Sequence, residues 1–294
     1  MKDLFLFCDI SRQAHHQALM REQKWADLEY LIVGLILQMR EVHPGMGLRV
    51  MYEVLQPNGL GRDAFISIGL AYGFRLITFK NPTKTTFSSP YNRYKNLLVD
   101  KTLDDINQLW TSDITYYDLA GTFYYIVLIM DTYSRKILGY SVADNMRAYN
   151  NCQALEMAFK NRKQDKFENL IHHSDRGGQY ISSDYITLLT NAGIKISMCN
   201  EVYENSHIER VNSTIKNQYL RYWKINTFEE LKCTLKGTID AYNRTRPHSS
   251  LLNMAPDSFE QYINELKVEE RPKLSIWTSN QTKNISPNQC LIQF

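Results

Sequence analysis

The sequence predicts a mixed α/β fold, a sheet covered by helices on both faces, preceded by a small all-α region. Three observations carry this expectation. Residues 1–75 place apolar side chains at helical spacing, residues 107–143 read as three consecutive strands, and beyond them helix and strand alternate up to a long helix beginning near Ser206. The 294 residues suffice for one large domain and a smaller one, and 44% hydrophobic with 12% aromatic content supports a sizeable core.

In the first region, "DISRQAHHQAL" offers Ser11 as an N-cap. Leu28, Leu31, Ile32, Leu35, Ile36 and Met39 then form the stripe of a second, amphipathic helix. A third helix over Leu48, Met51, Tyr52 and Leu55 stops at "QPNG", and a fourth runs from Asp63, an N-cap candidate, to Gly73 as the C′ residue. Two short helices joined by "PNGLG" are the raw material of a helix-turn-helix, and the same pattern also describes a plain helical bundle. Residues 76–106, with prolines at 82 and 90, read as an extended linker. Arg75, Lys80, Lys84, Arg93 and Lys95 fall between positions 70 and 99 with no acidic residue among them, interleaved with Phe79, Phe87, Tyr91 and Tyr94. Such a segment suits a phosphate backbone, or is a solvated connector.

"WTSDITYYDL", "TFYYIVLIMDTYS" and "KILGYSVAD" are rich in β-branched and aromatic residues and are separated by "AG" and "SR" turns, so three antiparallel strands are expected. A helix over about 147–160 follows, then "NLIHHS" as a buried strand, "SSDYITLLTNAG" as a capped helix ending at Gly193, "IKISM" as a strand, and a helix over 206–222 with Ile208, Val211, Ile215, Tyr219 and Tyr222 as its packed stripe. Five scattered cysteines without a Cys-x-x-Cys pair argue against a disulfide framework or thiolate zinc site. The longest apolar run, 30–39, is too short to span a bilayer, and the N-terminus is too short and acidic for a secretory signal. A cytoplasmic protein without a membrane partner is expected.

Asp113 falls in the first strand, Asp175 at the end of the fourth and Glu209 at the start of the long helix. In a mixed sheet those strands can be neighbours, and a helix crossing them can bring its first turn to the same edge. Each acid alone could be a turn or cap residue. Three together would repel one another unless hard divalent cations, Mg²⁺ or Mn²⁺, bound between them, and such ions activate and stabilise oxygens in phosphoryl transfer. Ser213 and Lys216 lie four and seven residues after Glu209, on its own face of the helix. A lysine there either reaches the phosphate being cut or is a surface charge.

"WTSDITYY", "HSDRGGQY", "YENSHIERVNSTIKNQYL" and "AYNRTRPHSSLLNMAPDSF" resemble the DDE transposases of bacterial insertion sequences, and more narrowly the downstream-frame (OrfB-type) product of frameshifting elements. The likeness is strong over about 107–263 and weaker toward the N-terminus. It implies a helix-turn-helix-like DNA-binding domain over 1–75, a basic linker over 76–106, a ribonuclease-H-like core with a mixed five-stranded sheet over 107–225, and a C-terminal helical extension and tail over 226–294. It further implies Asp113, Asp175 and Glu209 as catalytic metal ligands, Mg²⁺ as cofactor, and cleavage and joining of DNA at transposon ends. The basic residue one helical face further on falls on Lys216. Arg210, Arg75, Lys80, Lys84, Arg93, Lys95, Arg244 and Arg246 are further DNA-contact candidates. Transposon-end and target DNA, a homo-oligomer, and an upstream-frame (OrfA-type) fusion partner are the implied partners, with nucleoid association when bound. A domesticated DNA-binding protein and a same-fold nuclease that cuts without joining are the alternatives.

Three further groups are singled out. Asp131 either makes a turn or supports Asp113. His172 and His173 alternate on a strand, one expected toward the core and the other toward the site edge. "YNRTRPHSSL" either contacts DNA or fixes the C-terminal helices against the core.

Overall fold

A computed structural model describes residue 7 and residues 10–77, 93–199, 202–276 and 292–293, without the side chains of 202, 203, 292 and 293. The chain divides into two compact units, 1–78 and 79–294.

The first unit is helical. Ser11 caps α1 (Arg12–Val42), its hydroxyl accepting from the Ala14 N–H at 3.0 Å. This is one continuous helix of 31 residues where two were expected, because no glycine or proline interrupts positions 12–33. Only its second half packs: Ile32 and Ile36 are fully buried, whereas Leu31 of the expected stripe is 55% exposed. α2 (Leu48–Leu55) ends at Gln56, which takes the left-handed conformation. α3 (Arg62–Ala71) is entered through Gly61, and Asp63 stands inside its first turn instead of capping it. A carboxylate is still favoured there by the partial positive charge of the helix end. Ile32, Ile36, Met46, Met51, Phe65 and Ile68 form the core of this unit.

The second unit is built on a five-stranded sheet. β2 (Leu109–Leu119), β3 (Thr122–Asp131) and β4 (Ile137–Ala143) are antiparallel neighbours, while β5 (Ile171–Ser174) and β6 (Lys195–Met198) continue in parallel, in the order β4-β3-β2-β5-β6. This is the ribonuclease-H-like arrangement. Alternation along β3 divides its residues between two cores. Val127 and Ile129 pack with α4 (Ala148–Arg162) and α5 (Ser183–Asn191). Ile126, Leu128 and Met130 pack with α6 (Ser206–Gln218) and α7 (Phe228–Thr245) on the other face. α4 crosses β4 at Gly139, where any Cβ would drive into the Ala154 carbonyl, so only glycine permits this approach.

Three expectations are corrected. Residues 93–106 are not a linker: Leu98 and Leu103 are buried in a third core with Phe259, Ile263 and Leu274, and β1 (Thr102–Leu103) pairs with β7 (Lys273–Ser275). The tail beyond α8 (Pro256–Glu265) is likewise not helical only, since β7 also pairs with β8 (Ile292–Gln293). The helix expected over 206–222 ends at Gln218, where Tyr219 leaves helical geometry and a 3₁₀ turn takes over.

Asp131 makes a turn and does not reach Asp113. Fully buried, it accepts from the backbone N–H groups of Asn107, Tyr133 and Ser134 and pairs with Arg162 at 3.0 Å. Arg162 also grips both Glu260 oxygens, at 2.7 and 2.8 Å, and the Ser134 hydroxyl and Lys136 complete that carboxylate. Burial holds the Asp131 carboxyl above its usual range despite Arg162, whereas the bonds from Arg162 outweigh burial at Glu260 and hold it below. This cluster fastens α8 to the sheet. Arg162→Met leaves buried Asp131 without its cation and Glu260 with Lys136 alone, and is expected to lower the unfolding free energy by about 3–5 kcal/mol in urea titrations. A loss below about 1 kcal/mol would mean that the cluster is not a structural anchor.

Candidate active site

The strand register brings the first two acids together. β2 and β5 run parallel with Ser112 opposite Ser174, so Asp113 and Asp175 each lie one residue past the last paired position of adjacent strands. Neighbouring parallel strands are about 4.8 Å apart, which leaves both carboxylates at one edge of the sheet. α6 brings the third. Its entry is pinned to β2 by the Asn205 amide, which donates to the Ser112 carbonyl at 3.1 Å, and its second turn by the Asn212 amide, which donates to Asp113 Oδ2 at 2.8 Å. Glu209 lies three residues before Asn212, in the first turn.

The electrostatics follow from this crowding. Asp113 keeps part of its surface open to solvent although protein packs densely around it. Burial first, then repulsion by Asp175 and by Glu209, pushes its carboxyl up to about 7, opposed by the Asn212 bond and the Ile114 backbone. Asp175 is raised by burial and opposed by the Gly177 N–H, which donates to Oδ1 at 3.0 Å. A Cβ at Gly177 would stand 3.0 Å from Asp175 Oδ1 and from Gln179 Oε1, so a larger residue there would push on this carboxylate. Below the acids, the Ser112 hydroxyl and Tyr180 phenol bond at 2.9 Å, both buried.

Among the described residues, no three or more His, Cys, Asp or Glu side chains stand in a metal-holding arrangement. Asp113 is coupled to Asp175 and Glu209 through charge. Their chemistry nevertheless fits a divalent cation. All three offer hard oxygen donors, and the proton that Asp113 retains near neutrality is the one that a cation between the acids would displace.

Lys216 is half-buried and docked on β2. Its ammonium donates to the Thr115 hydroxyl at 3.2 Å and the Tyr116 carbonyl at 3.4 Å, and stands 4.8 Å from the centre of the Tyr116 ring. Burial and Arg221 lower its pKa, with Asp113 acting in the opposite sense. It is therefore neither a plain surface charge nor a group beyond the reach of the acids. Arg210 is exposed on α6 beside Glu209. Arg75 is exposed in the first unit, and Arg93 and Lys95 in the second. Lys80 and Lys84 lie outside the described residues. Arg244 is exposed, but Arg246 donates to Gln218 at 2.7 Å and lies over the Tyr219 ring, so its guanidinium braces the end of α6.

Both histidines face inward, contrary to the expected alternation between core and site edge. His172 meets the Tyr185 hydroxyl at 2.8 Å, and His173 meets Ser197 at 2.8 Å and Cys199 at 3.1 Å. One face of β5 packs with α4 and α5 and the other joins the core of Leu98, Leu103 and Phe259, so period two leads to a core on either side, and burial lowers the two rings to about 3 and about 4. Sequence reasoning missed Asn212 and Asn205. The available signal was spacing, since Asn212 follows Glu209 by three residues and shares its helix face.

Two matches to the family Integrase core domain cover residues 105–202 and 192–256. The 31 kDa protein of insertion element IS600 from Shigella sonnei is 29% identical over 263 residues, 85% of this chain and 93% of that protein. Transposase InsF for insertion sequence IS3A of Escherichia coli (strain K12) is 34% identical over 157 residues, 52% of this chain, and the match spans about half of InsF (54%). Among solved structures, the HTLV-2 integrase catalytic core domain in complex with magnesium is 19% identical with a TM-score of 0.44, covering 53% of this chain and 97% of that one.

The raised pKa of Asp113 has a consequence for stability. In its metal-free form the folded chain binds a proton that the unfolded chain, with a carboxyl near 4, has released, so stability falls as pH rises from about 4 to about 7. Asp113→Asn removes this loss. In urea titrations with chelator, the variant is expected to be more stable than the parent at pH 7.5, with the gap closing at pH 4.5. A gap independent of pH would contradict the crowding of the three acids.

Proposed function

Because this chain belongs to the integrase-core transposases of bacterial insertion sequences, we propose that Asp113, Asp175 and Glu209 are its catalytic residues and that it cuts and joins DNA at this sheet edge. Water would attack the phosphodiester at a transposon end and expel the 3′ oxygen, which leaves as a 3′-OH. That 3′-OH would then attack a phosphodiester of a second strand, forming one P–O bond and breaking another. The observation that carries this reading is the register that sets Asp113 beside Asp175 while Asn212 ties the Glu209 helix to Asp113.

In-line phosphoryl transfer needs positioning and charge neutralisation, so no serine or tyrosine nucleophile is required. The three acids would hold Mg²⁺, with Mn²⁺ as a substitute. Bound there, the ions supply neutralisation of the reacting phosphate and lower the pKa of the attacking hydroxyl. Asn212 keeps one Asp113 oxygen turned toward α6 and leaves the other available. Gly177 orients the Asp175 carboxylate through its N–H. Lys216, two turns beyond Glu209 at 1.5 Å per residue, is about 10 Å along the helix and too far to share the acids' ion. Released from Thr115 and Tyr116, its ammonium would take a phosphate next to the scissile one, which lays the transposon end along α6. Arg210, Arg244, Arg93, Lys95 and Arg75 would add backbone contacts, as would Lys80 and Lys84. The partners proposed are double-stranded transposon-end and target DNA, further copies of this chain on that DNA, and an upstream-frame product that supplies more end binding. Nucleoid association would follow from DNA binding. Among the described residues no helix is long and apolar enough to cross a membrane.

Asp113→Asn, Asp175→Asn and Glu209→Gln are each expected to abolish Mg²⁺-dependent cleavage and joining on the element's terminal DNA, while end binding in gel-shift assays is retained. Turnover in any one of them would show the triad to be wrongly assigned, and cleavage without joining by the parent chain would make it a nuclease. Lys216→Ala should slow both steps roughly tenfold or more, the size of a lost charge-assisted hydrogen bond, and Lys216→Arg should recover part of that loss.

A further inference from the structure

The loop that enters α4 stands against the loop that carries Asp175. The Gln179 amide donates to the Met146 carbonyl at 3.1 Å, and the oxygen of that same side chain lies beside Gly177 together with Asp175 Oδ1. Met146 is therefore one side chain away from a proposed catalytic acid. Around it the surface is unusual for a segment so close to a cluster of acids. Tyr149 is 67% exposed and Met146 40%, and Arg147 is exposed as well. The Tyr149 hydroxyl accepts from Gln153 at 3.2 Å, one turn further along α4, which fixes the ring at the surface. No side chain caps α4, and its first turn holds no acid, so the positive end of a 15-residue helix opens onto the same surface. The nearby Asp144 carboxylate is engaged by the Asn145 amide at 2.7 Å.

An aromatic face held at the surface, an exposed arginine two residues before it and an uncapped helix end are the elements that recognise a nucleobase with its phosphate. Their position in the sheet selects the strand. α4 and α6 pack on opposite faces of the sheet, α6 tied to Asp113 through Asn212 and the loop before α4 tied to the Asp175 turn through Gln179. On the proposed function, on which this inference rests, the transposon end runs along α6. The face of α4 is then left for the strand that receives the attack. We propose that Tyr149, Arg147 and Met146 form a contact site for the acceptor DNA strand, with the Tyr149 ring stacked on a base near the attacked phosphodiester and Arg147 on its phosphate. Variation here would change which target sequences are used without changing which ends are cut.

The test separates this site from the chemistry. The full chain carrying Asp175→Asn is bound to terminal DNA and to acceptor duplexes containing 5-iodouracil at successive positions, and photo-crosslinks are mapped by mass spectrometry. A crosslink from the acceptor strand to Tyr149 is expected, and it does not require turnover. In the active chain with Mg²⁺, Tyr149→Ala should reduce joining to the acceptor about tenfold or more while end cleavage stays within about twofold, and Tyr149→Phe should restore joining. An abasic site at the crosslinked position should bring the parent chain down to the level of Tyr149→Ala. Crosslinks from the end strand instead, equal loss of cleavage and joining, or full joining by Tyr149→Ala would each overturn the assignment. Should the triad variants remain active while the acceptor crosslink persists, the proposed function fails and the contact site stands.

Discussion

Three carboxylates share one edge of a sheet, and much of the surrounding structure follows from making that arrangement tolerable. Like charges at such separations raise one another's pKa, and Asp113 registers this most strongly. The fold meets the repulsion with directed polar groups. The Asn212 amide faces Asp113, the Gly177 N–H faces Asp175, and the Asn205 amide anchors the helix that carries Glu209. Each of these bonds is made by a neutral donor, which steadies the geometry of the two strand ends and of the helix entry. On the proposed function, a divalent ion and the phosphate would complete the site.

Positive charge is instead spent where rigidity is needed. Arg162 binds Asp131 and Glu260 in the interior and so fixes α8 to the sheet, and Arg246 braces the C-terminal end of α6 through Gln218. The motif "YNRTRPHSSL" thus divides its two arginines. Arg246 holds the scaffold and Arg244 remains at the surface. On the proposed readings, DNA would meet Lys216 on the α6 side of the acids and Tyr149 on the α4 side.

Much of this was legible in the residues. Alternation of β-branched and aromatic residues marks β2 to β4, and the acids at strand and helix termini were recognisable because motif order survives where any single motif is ambiguous. The failures have physical causes. Leu98, Leu103 and Leu274 are too sparse to show a period, yet they bury together across 176 positions (274 − 98), which no local pattern reveals. The helix expected before the stripe that begins at Leu28 is one with it in α1, because a helix continues until something breaks it, packed or not. His172 and His173 were divided between inside and outside by strand alternation, and a strand covered on both faces has no outside. Lys216 looked exposed because its partners, Thr115 and Tyr116, lie a hundred residues away in sequence.

The central claim is that Asp113, Asp175 and Glu209 together bind the divalent ions that phosphoryl transfer needs. Anomalous diffraction from crystals of the chain grown with Mn²⁺ tests it most directly. The account predicts anomalous density bounded by carboxylate oxygens of all three residues, and its loss in Asp113→Asn crystals grown the same way. Manganese density elsewhere on the chain, or unchanged density after that substitution, would contradict it.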